Sequence, residues 1–589
     1  MEIPLTLNER AYRERSKIEW KKYNEISFKG VGGCVQIQAK ELPNKTALLF
    51  EDKCWTWSEL NQESNRFANY FLNLGLKYDD VVAIVMDNCP EYLFSSTGIN
   101  KIQGISSFIN ANQRKSALEH VIKVSEPKWL VIDGGNLFNL IEIEENLGIP
   151  NENIFVINNS QKIEHEFVNL NHELRNVKSS DPPTTLNSTT EQICVYLFSS
   201  GTTGYPKAIT LSNIKLMGIG IHGYVVLNLS PKEVIYVPTP LYHGLGFNVG
   251  WIGAVWGGAT TALRKKFSSS NYWKDISKFK ATCTIYIGEI PRYLLNLPEG
   301  EYEKQSTLKR MIGLGLRKNI WLKFKERFNI EHIYEYYGST EVGGYINLDD
   351  VPGMVGRLTS PTVILAKYNR NTEEFYKNQE GFFIPCKPGE EGIALVNLKI
   401  EPYFTGYKYQ EETEKKLLSN VFEQDDIYFY TGDLLKLHED NWVSFVDRLG
   451  NTFRWKGENV STTEVESILN SHPSILGSNV FGVELPNAEG RAGMAAVRIN
   501  ETLDFNISKF SQFLSENLPK YAIPLFIRIQ TNRLETTGNF KLRKMNLQKE
   551  GYNIEEISDK VYVLLPGESE YTELTNELYL LIKNRNYIF

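Results

Sequence analysis

Paired cysteines are missing from this chain. Cys34, Cys54, Cys89, Cys194, Cys283 and Cys386 are scattered with no two at metal-ligand spacing, so neither a zinc site nor a disulfide framework is expected, and a reducing compartment fits. An excess of positive charge is missing too. Sixty-four Lys and Arg against 71 Asp and Glu give a formal net charge of -7, which disfavours nucleic acid as a partner but allows a local basic patch toward an anionic cofactor. The start of the chain is densely charged between Glu9 and Lys22 and lacks the apolar core of a signal peptide, so secretion is not expected. Charge itself is absent from Val234 to Leu263, and the stretch from Gly244 to Leu263 is long enough to raise a membrane span. Gly244, Gly246, Gly250, Gly253, Gly257, Gly258 and Asn248 within it favour backbone packed closely inside a protein core.

What is present is an ordinary globular composition. With 589 residues, 42% of them hydrophobic, several domains are expected. Apolar, β-branched runs recur at Val81 to Met86, Trp129 to Asp133, Ile154 to Ile157, Ile193 to Phe198, Val234 to Val237 and Thr282 to Ile287, separated by helical signals, a pattern that implies α/β layers. Thr56 with Glu59 reads as a capping box, followed by Leu60, Phe67, Phe71 and Leu74 at helical spacing before Gly75; Ser116 with Glu119 and Ser461 with Glu464 repeat the capping signal. Residues 178–191, with Pro182-Pro183 among Ser, Thr and Asn, read as a flexible connection between two subdomains. After Asp447-Arg448-Leu449-Gly450 the chain starts again, with a helix from Thr462 and strands near Val480 to Val483, Ala495 to Ile499 and Leu525 to Ile529.

The segment Ser199-Ser-Gly-Thr-Thr-Gly-Tyr-Pro-Lys-Ala208 follows one of the apolar runs. At the end of a buried strand it offers backbone N–H groups, hydroxyls and one ammonium to a polyphosphate, and its glycines permit close approach. An ordinary polar turn is the alternative, and Pro206 directly before Lys207 excludes the common P-loop. Five further segments stand with it: Pro240-Leu-Tyr-His-Gly244, Tyr336-Tyr-Gly-Ser-Thr-Glu341, Tyr430-Thr-Gly-Asp433, Asp447-Arg448 through Gly457, and Thr537-Gly-Asn-Phe-Lys541.

In identity and order these six segments resemble the AMP-forming acyl-adenylate family of acyl-CoA synthetases, luciferases and peptide-synthetase adenylation domains. Asn451 to Val465, Tyr286 to Glu289 with Arg292 to Leu295, and Gly490 to Ala496 further resemble its fatty acid transport protein branch, the very long-chain acyl-CoA synthetases. The resemblance runs from about Asn44 to near the end of the chain. It implies an α/β fold: a large N-terminal domain of layered α/β subdomains plus a small β-rich subdomain (1–447), a hinge at 448–450, and a smaller mobile α+β domain (451–589).

It also implies roles. Ser199, Ser200, Gly201, Thr202, Thr203, Gly204 and Lys207 would hold the β- and γ-phosphates of ATP, Thr340 the α-phosphate, and Glu341 a Mg²⁺ ion bridging phosphate oxygens. Tyr337 and the segment Gly313 to Arg317, with Gly315 at its centre, would line the adenine; Asp433 and Arg448 would take the ribose. Lys541 would be the catalytic cation, with Lys544 a competitor for the role, and Gly457 would let the pantetheine arm of CoA pass. His243 resembles the histidine beside the acyl pocket; a core histidine bonded to backbone is the alternative. Taken alone, Lys207 reads as a solvated loop lysine, Tyr337 as a strand-end aromatic, Glu341 as a surface glutamate and Asp433 as a turn residue.

The chain departs from the pattern at Ser199, where Thr is usual, at Val342-Gly343, where Gly-Asn is common, at Gly450, where the wider family often has Asp, and at Asn451, where Asp is usual. No N-terminal membrane anchor of the kind typical of relatives is expected. The expected activity is ligation of a long or very long-chain fatty acid to CoA at the expense of ATP, with peripheral contact at the cytoplasmic face of a membrane, or a cytosolic location, and uptake driven by trapping of the product. Two alternatives stand beside it. One is loading of an acyl group onto a separate carrier protein, since Lys541 lies too close to Phe589 for a fused one; the other is a lipid-binding or transport protein without catalysis.

Overall fold

Runs of Val, Ile and Leu that carry no alternation suit strands covered on both faces, and that is where they lie. The computed structural model describes the chain except residues 1–2, 159–165, 200–205, 288, 296, 317, 370–373, 402, 449–451, 487, 489, 501–504, 531–544 and 588. One largely parallel sheet orders its strands as Val168–Asn169, Ile154–Ile157, Trp129–Asp133, Val81–Val85, Ile105–Ile109, Ile193–Ser199 and Lys207–Ser212, the last two forming an antiparallel hairpin. A second runs Tyr345–Asn347, His332–Tyr337, Arg310–Leu314, Cys283–Ile287, Val234–Val237, Thr260–Leu263, Thr46–Phe50 and Lys53–Thr56, parallel except at its two edges. Between them, helices Trp57–Asn73, Pro90–Lys101 and Asn213–Leu227 share one apolar core with both sheets.

A third, antiparallel sheet contains Val363–Asn369, Glu391–Asn397, Ile427–Leu437 and Trp442–Arg448. Beyond it lie the hairpin Thr452–Trp455 and Glu458–Ser461, and a mixed sheet of Ile475–Val483, Ala492–Ile499, Phe526–Ile529, Lys560–Val563 and Thr572–Glu573 with its own core. The architecture is thus a large α/β region carrying a β-rich sheet, followed by a smaller α+β region.

The uncharged stretch after His243 folds inside the large region, as a π-helix Leu245–Ile252, a helical turn Gly253–Gly257 and the strand Thr260–Leu263. Residues 245–252 are all buried, and a side chain at Gly220 would sit 2.3 Å from Ile252 Cγ2, so helix Asn213–Leu227 can lie against this layer only through glycine. Among the described residues no helix is long and apolar enough to cross a membrane.

Local signals hold unevenly. Thr56 and Glu59 form the full capping box, but the helix closes at Asn73 and Leu74 is left 40% exposed. Ser116 is not a cap: the helix Lys115–Ser125 begins before it, with Arg114 at the N-cap, and Glu119 pairs with Lys123 instead. Residues 178–191 do not separate subdomains, because the strands on both sides belong to one sheet. The stretch is pinned. Asn69 Nδ2 donates to the carbonyls of Lys178 (3.0 Å) and Ser180 (2.9 Å), Asn65 Nδ2 donates to that of Ser179 (2.8 Å), and the buried Lys101 donates to Asn61 (2.6 Å), Asn65 (2.8 Å) and Asp181 (2.8 Å).

Burial pulls the Lys101 ammonium down to about 8 although Asp181 favours its charge. Between about pH 8 and the unfolded value near ~10.4 the unfolded chain therefore carries a proton that the native chain does not, and this group adds stability as pH rises. Asp181→Ala should cost about 2 kcal/mol in urea unfolding, as one charged partner lost from the buried Lys101, which keeps Asn61 and Asn65. The advantage of wild type over Lys101→Met should grow from pH 8 to pH 10; a constant difference would remove Lys101 as its source.

Candidate active site

Strands buried on both faces can offer polar groups only from their ends, and in open parallel sheets the carboxyl ends form the crevice. The expected site segments follow such ends. Gly315 comes directly after Arg310–Leu314 in a left-handed turn, φ +88°. A buried acid that sequence reasoning missed holds this turn: Glu335 Oε1 accepts the N–H groups of Gly315 and Leu316 (3.1 Å to the latter), and Oε2 accepts the hydroxyl of Tyr286 (2.5 Å). Strict alternation along His332–Tyr337, which places Tyr334 and Tyr336 on the face opposite to Glu335, was the available signal.

Tyr337 ends that strand and donates its hydroxyl to Asp433 Oδ2 (3.0 Å), which joins the parallel sheet to the antiparallel one. Asp433 is buried within the strand Ile427–Leu437, not in a turn, and its backbone stands opposite Arg448 in the ladder.

Glu341 is buried rather than on the surface. Its Oε1 accepts the hydroxyl of Tyr407 (2.7 Å) and its backbone carbonyl accepts Lys215 Nζ (2.7 Å). Burial pulls Lys215 down to about 8, against the pull of Glu341 and Glu401 toward the charged form. Thr340 approaches the start of the glycine-rich segment, its Oγ1 being 3.8 Å from where a side chain on Gly244 would begin.

Ser199 closes the strand Ile193–Ser199 and stands opposite Lys207, the first residue of Lys207–Ser212. Lys207 pairs with Glu412 and lies 5.7 Å from the centre of the Tyr407 ring. Ser200, Gly201, Thr202, Thr203 and Gly204 lie outside the described residues, as does Lys541.

The hairpin Thr452–Ser461 reaches the same strand ends. His243 Nε2 is 3.2 Å from Glu458 Oε2, and Gly457, φ +81°, faces Ile287, whose Cγ2 would be 3.4 Å from an added Cβ. Burial works against ionisation of Glu458, but His243 and Arg454 outweigh it and keep the carboxyl below its ordinary range. Asn110 Nδ2 donates to Tyr521 across the same cleft (3.3 Å). The structure thus gathers Lys207, Gly315, Tyr337, Thr340, Glu341, Asp433, His243 and Gly457 around one set of strand ends. It adds Glu335, Tyr407, Glu412 and Glu458, none of them expected as site residues.

Chemically, this is one acid held by a hydroxyl, one cation held by an acid and a ring, and a second acid tied to an aromatic. Such a set suits a phosphorylated ligand with hydroxyl groups and a flat base.

The family model described as AMP-binding enzyme matches residues 35–381, and the one described as AMP-binding enzyme C-terminal domain matches residues 464–541. Long-chain fatty acid transport protein 6 of Mus musculus is 36% identical over 550 residues, covering 92% of this chain and 88% of that protein. Long-chain fatty acid transport protein 1 of the same species is 34% identical over 564 residues, 93% of this chain and 86% of that protein. Among solved structures, the o-succinylbenzoate CoA synthetase of Bacillus subtilis bound with a product analogue superposes with a TM-score of 0.70 at 18% identity, covering 88% of this chain and 98% of that one. A fatty acyl CoA synthetase of Mycobacterium tuberculosis gives 0.59 at 17% identity, covering 89% and 98%. These two share the fold.

Glu335→Ala would leave two backbone donors and a tyrosine hydroxyl without their acceptor, so a loss of about 3 kcal/mol is expected. Hydrogen exchange at the Leu316 amide should quicken well before global unfolding; an unchanged rate would show that another group holds the turn.

Proposed function

The chain belongs to the AMP-binding enzyme family, and from that premise we propose that it ligates a long or very long-chain fatty acid to CoA through an acyl-adenylate. One observation carries the reading: three separate motifs meet here, because the segment Tyr336–Glu341 reaches Asp433 through a hydrogen bond from Tyr337 and reaches Lys207 through Tyr407, whose hydroxyl donates to Glu341 and whose ring lies beside the ammonium.

In the first step a carboxylate oxygen of the acid attacks the α-phosphorus of ATP, and the bond from that phosphorus to the pyrophosphate oxygen breaks. Two anions meet, so fixed positive charge and donors must wait where negative charge develops. Ser199, Ser200, Gly201, Thr202, Thr203, Gly204 and Lys207 hold the β- and γ-phosphates and Thr340 the α-phosphate. Tyr337 and the Gly315 turn hold the adenine, and Asp433 with Arg448 the ribose. Lys541, which the C-terminal family match includes, contacts the attacking carboxylate and the α-phosphate.

Glu341 holds Mg²⁺, which when bound offsets charge on the phosphate oxygens. The donor fits: Glu341 is a buried carboxylate fixed by the Tyr407 hydroxyl, and Mg²⁺ is commonly held by one or two carboxylates with phosphates and water.

In the second step the sulfur of CoA attacks the acyl carbonyl and AMP leaves. We place the hinge for this exchange at 448–450, between 1–447 and 451–589, with Gly457 beside the pantetheine path. His243 borders the acyl pocket, and the buried layer after it receives the alkyl chain at about 0.8 kcal/mol for each CH₂. Contact with the cytoplasmic face of a membrane follows from a substrate that partitions into lipid. Uptake would follow from trapping of the product.

Exchange of labelled pyrophosphate into ATP should depend on added fatty acid and fall about a hundredfold or more in Lys541→Ala, the cost of a lost charge-stabilising donor. Absence of exchange in the wild type would favour a binding protein instead. With a panel of acyl lengths, free CoA should accept the product; an acyl-adenylate that waits for a carrier protein would reject that half of the proposal.

A further inference from the structure

Tyr407 lies in none of the motifs that point to chemistry, yet its side chain touches two of them. Its hydroxyl donates to Glu341 Oε1 (2.7 Å) between two buried residues, and its ring lies 5.7 Å from Lys207 Nζ. The segment carrying it is built onto the strand that begins at Lys207. Lys408 N–H donates to the carbonyl of Ala208 (2.8 Å), Thr210 N–H to that of Gly406 (3.1 Å), and Thr210 Oγ1 to that of Thr405 (2.9 Å). Thr413 Oγ1 accepts the N–H of Tyr407 (3.0 Å), and Gly406 is held left-handed at φ +69° with a Cβ site only 2.7 Å from that same oxygen. Tyr407 is therefore fixed in place by backbone pairing and has little freedom of its own.

A carboxylate and an ammonium this near a common site would gain by collapsing onto each other, and each would then be unavailable to a ligand. Tyrosine prevents this with one neutral side chain, giving the anion a donor and the cation a ring face. Lys207 is paired with Glu412 here, so an incoming phosphate has one carboxylate to displace from it and not two. We propose that Tyr407 is a positioning residue that holds Glu341 for the metal and Lys207 for the phosphates and keeps the two apart. This rests on the reading of Glu341 as metal ligand and Lys207 as phosphate ligand given above.

The test is calorimetric binding of ATP to the full chain with and without Mg²⁺, for wild type, Tyr407→Phe, Tyr407→Leu and Glu341→Gln. Phe keeps the ring and loses the donor, so the tightening of ATP binding by Mg²⁺ should shrink about tenfold while the metal-free affinity stays unchanged. Leu loses both, so the metal-free affinity should also weaken, by about threefold. Damage to the fold alone would lower both affinities together in the Phe variant and would overturn the proposal. So would an unchanged Mg²⁺ effect in Tyr407→Phe when Glu341→Gln loses it. If Glu341→Gln also keeps the full Mg²⁺ effect, the assignment of Glu341 itself falls and the proposal falls with it. Identical behaviour of Phe and Leu would overturn the role assigned to the ring.

Discussion

Strands covered on both faces leave no side on which a polar group can work, and that constraint organises everything else in this protein. Val81–Val85, Ile105–Ile109 and Trp129–Asp133 are buried along their whole length, so the sheets can meet a ligand only where the chain leaves them. Each turn after such an end must then be held open against its tendency to collapse. At Gly315 the means is a buried carboxylate accepting two N–H groups; at Glu341 it is a lysine on its carbonyl and a tyrosine on its carboxyl. A neutral group could not do this as well, because hydrogen bonds to charged groups contribute roughly twice as much as neutral ones.

The electrostatics of the site follow the same logic. Isolated buried charge is costly, so the buried acids and bases here carry fixed partners: Glu335 has two amides and Tyr286, and Lys215 has a carbonyl with Glu341 and Glu401 nearby. Lys207 keeps a partly exposed position with Glu412, which leaves its charge within reach of solvent and of an incoming anion. Lys215 and Glu335 are thus sealed, while Lys207 sits at the rim.

How much of this was legible in the sequence depended on the range of the interaction. The apolar runs specify their strands because burial on both faces demands uninterrupted Val and Ile, and Thr56 with Glu59 specifies a helix start because both groups act within one turn. Ser116 failed as a cap because a start signal is only a competition among neighbours, and Arg114 already holds the N-cap position. Pro182-Pro183 suggested a slack connection, but asparagines on helix Trp57–Asn73 and Lys101 on Pro90–Lys101 reach it from far along the chain. The return of Thr46–Phe50 to pair with Thr260–Leu263 is invisible locally for the same reason. Six ordered motifs supplied Lys207, Tyr337, Thr340, Glu341, Asp433 and Gly457 to the candidate site. Tyr407 and Glu335 escaped because a tyrosine and a glutamate in alternating or polar surroundings look like many others until the partner across the fold is known.

The hairpin that reaches His243 raises a question of strength. A lysine needed at the α-phosphate in the first step would obstruct a thiol arriving in the second, so in our proposal the C-terminal domain must offer different faces in turn. A contact designed to be exchanged should be specific and weak. The His243–Glu458 pair and the Asn110–Tyr521 hydrogen bond are single polar contacts, each worth about 1 kcal/mol, whereas the apolar cores on the two sides are separate clusters. Breaking such contacts leaves each apolar cluster whole, and binding of a nucleotide or of CoA can offset it with one or two charge-assisted hydrogen bonds. An interface of fused apolar cores would have locked one face in place and stopped the cycle after half a reaction.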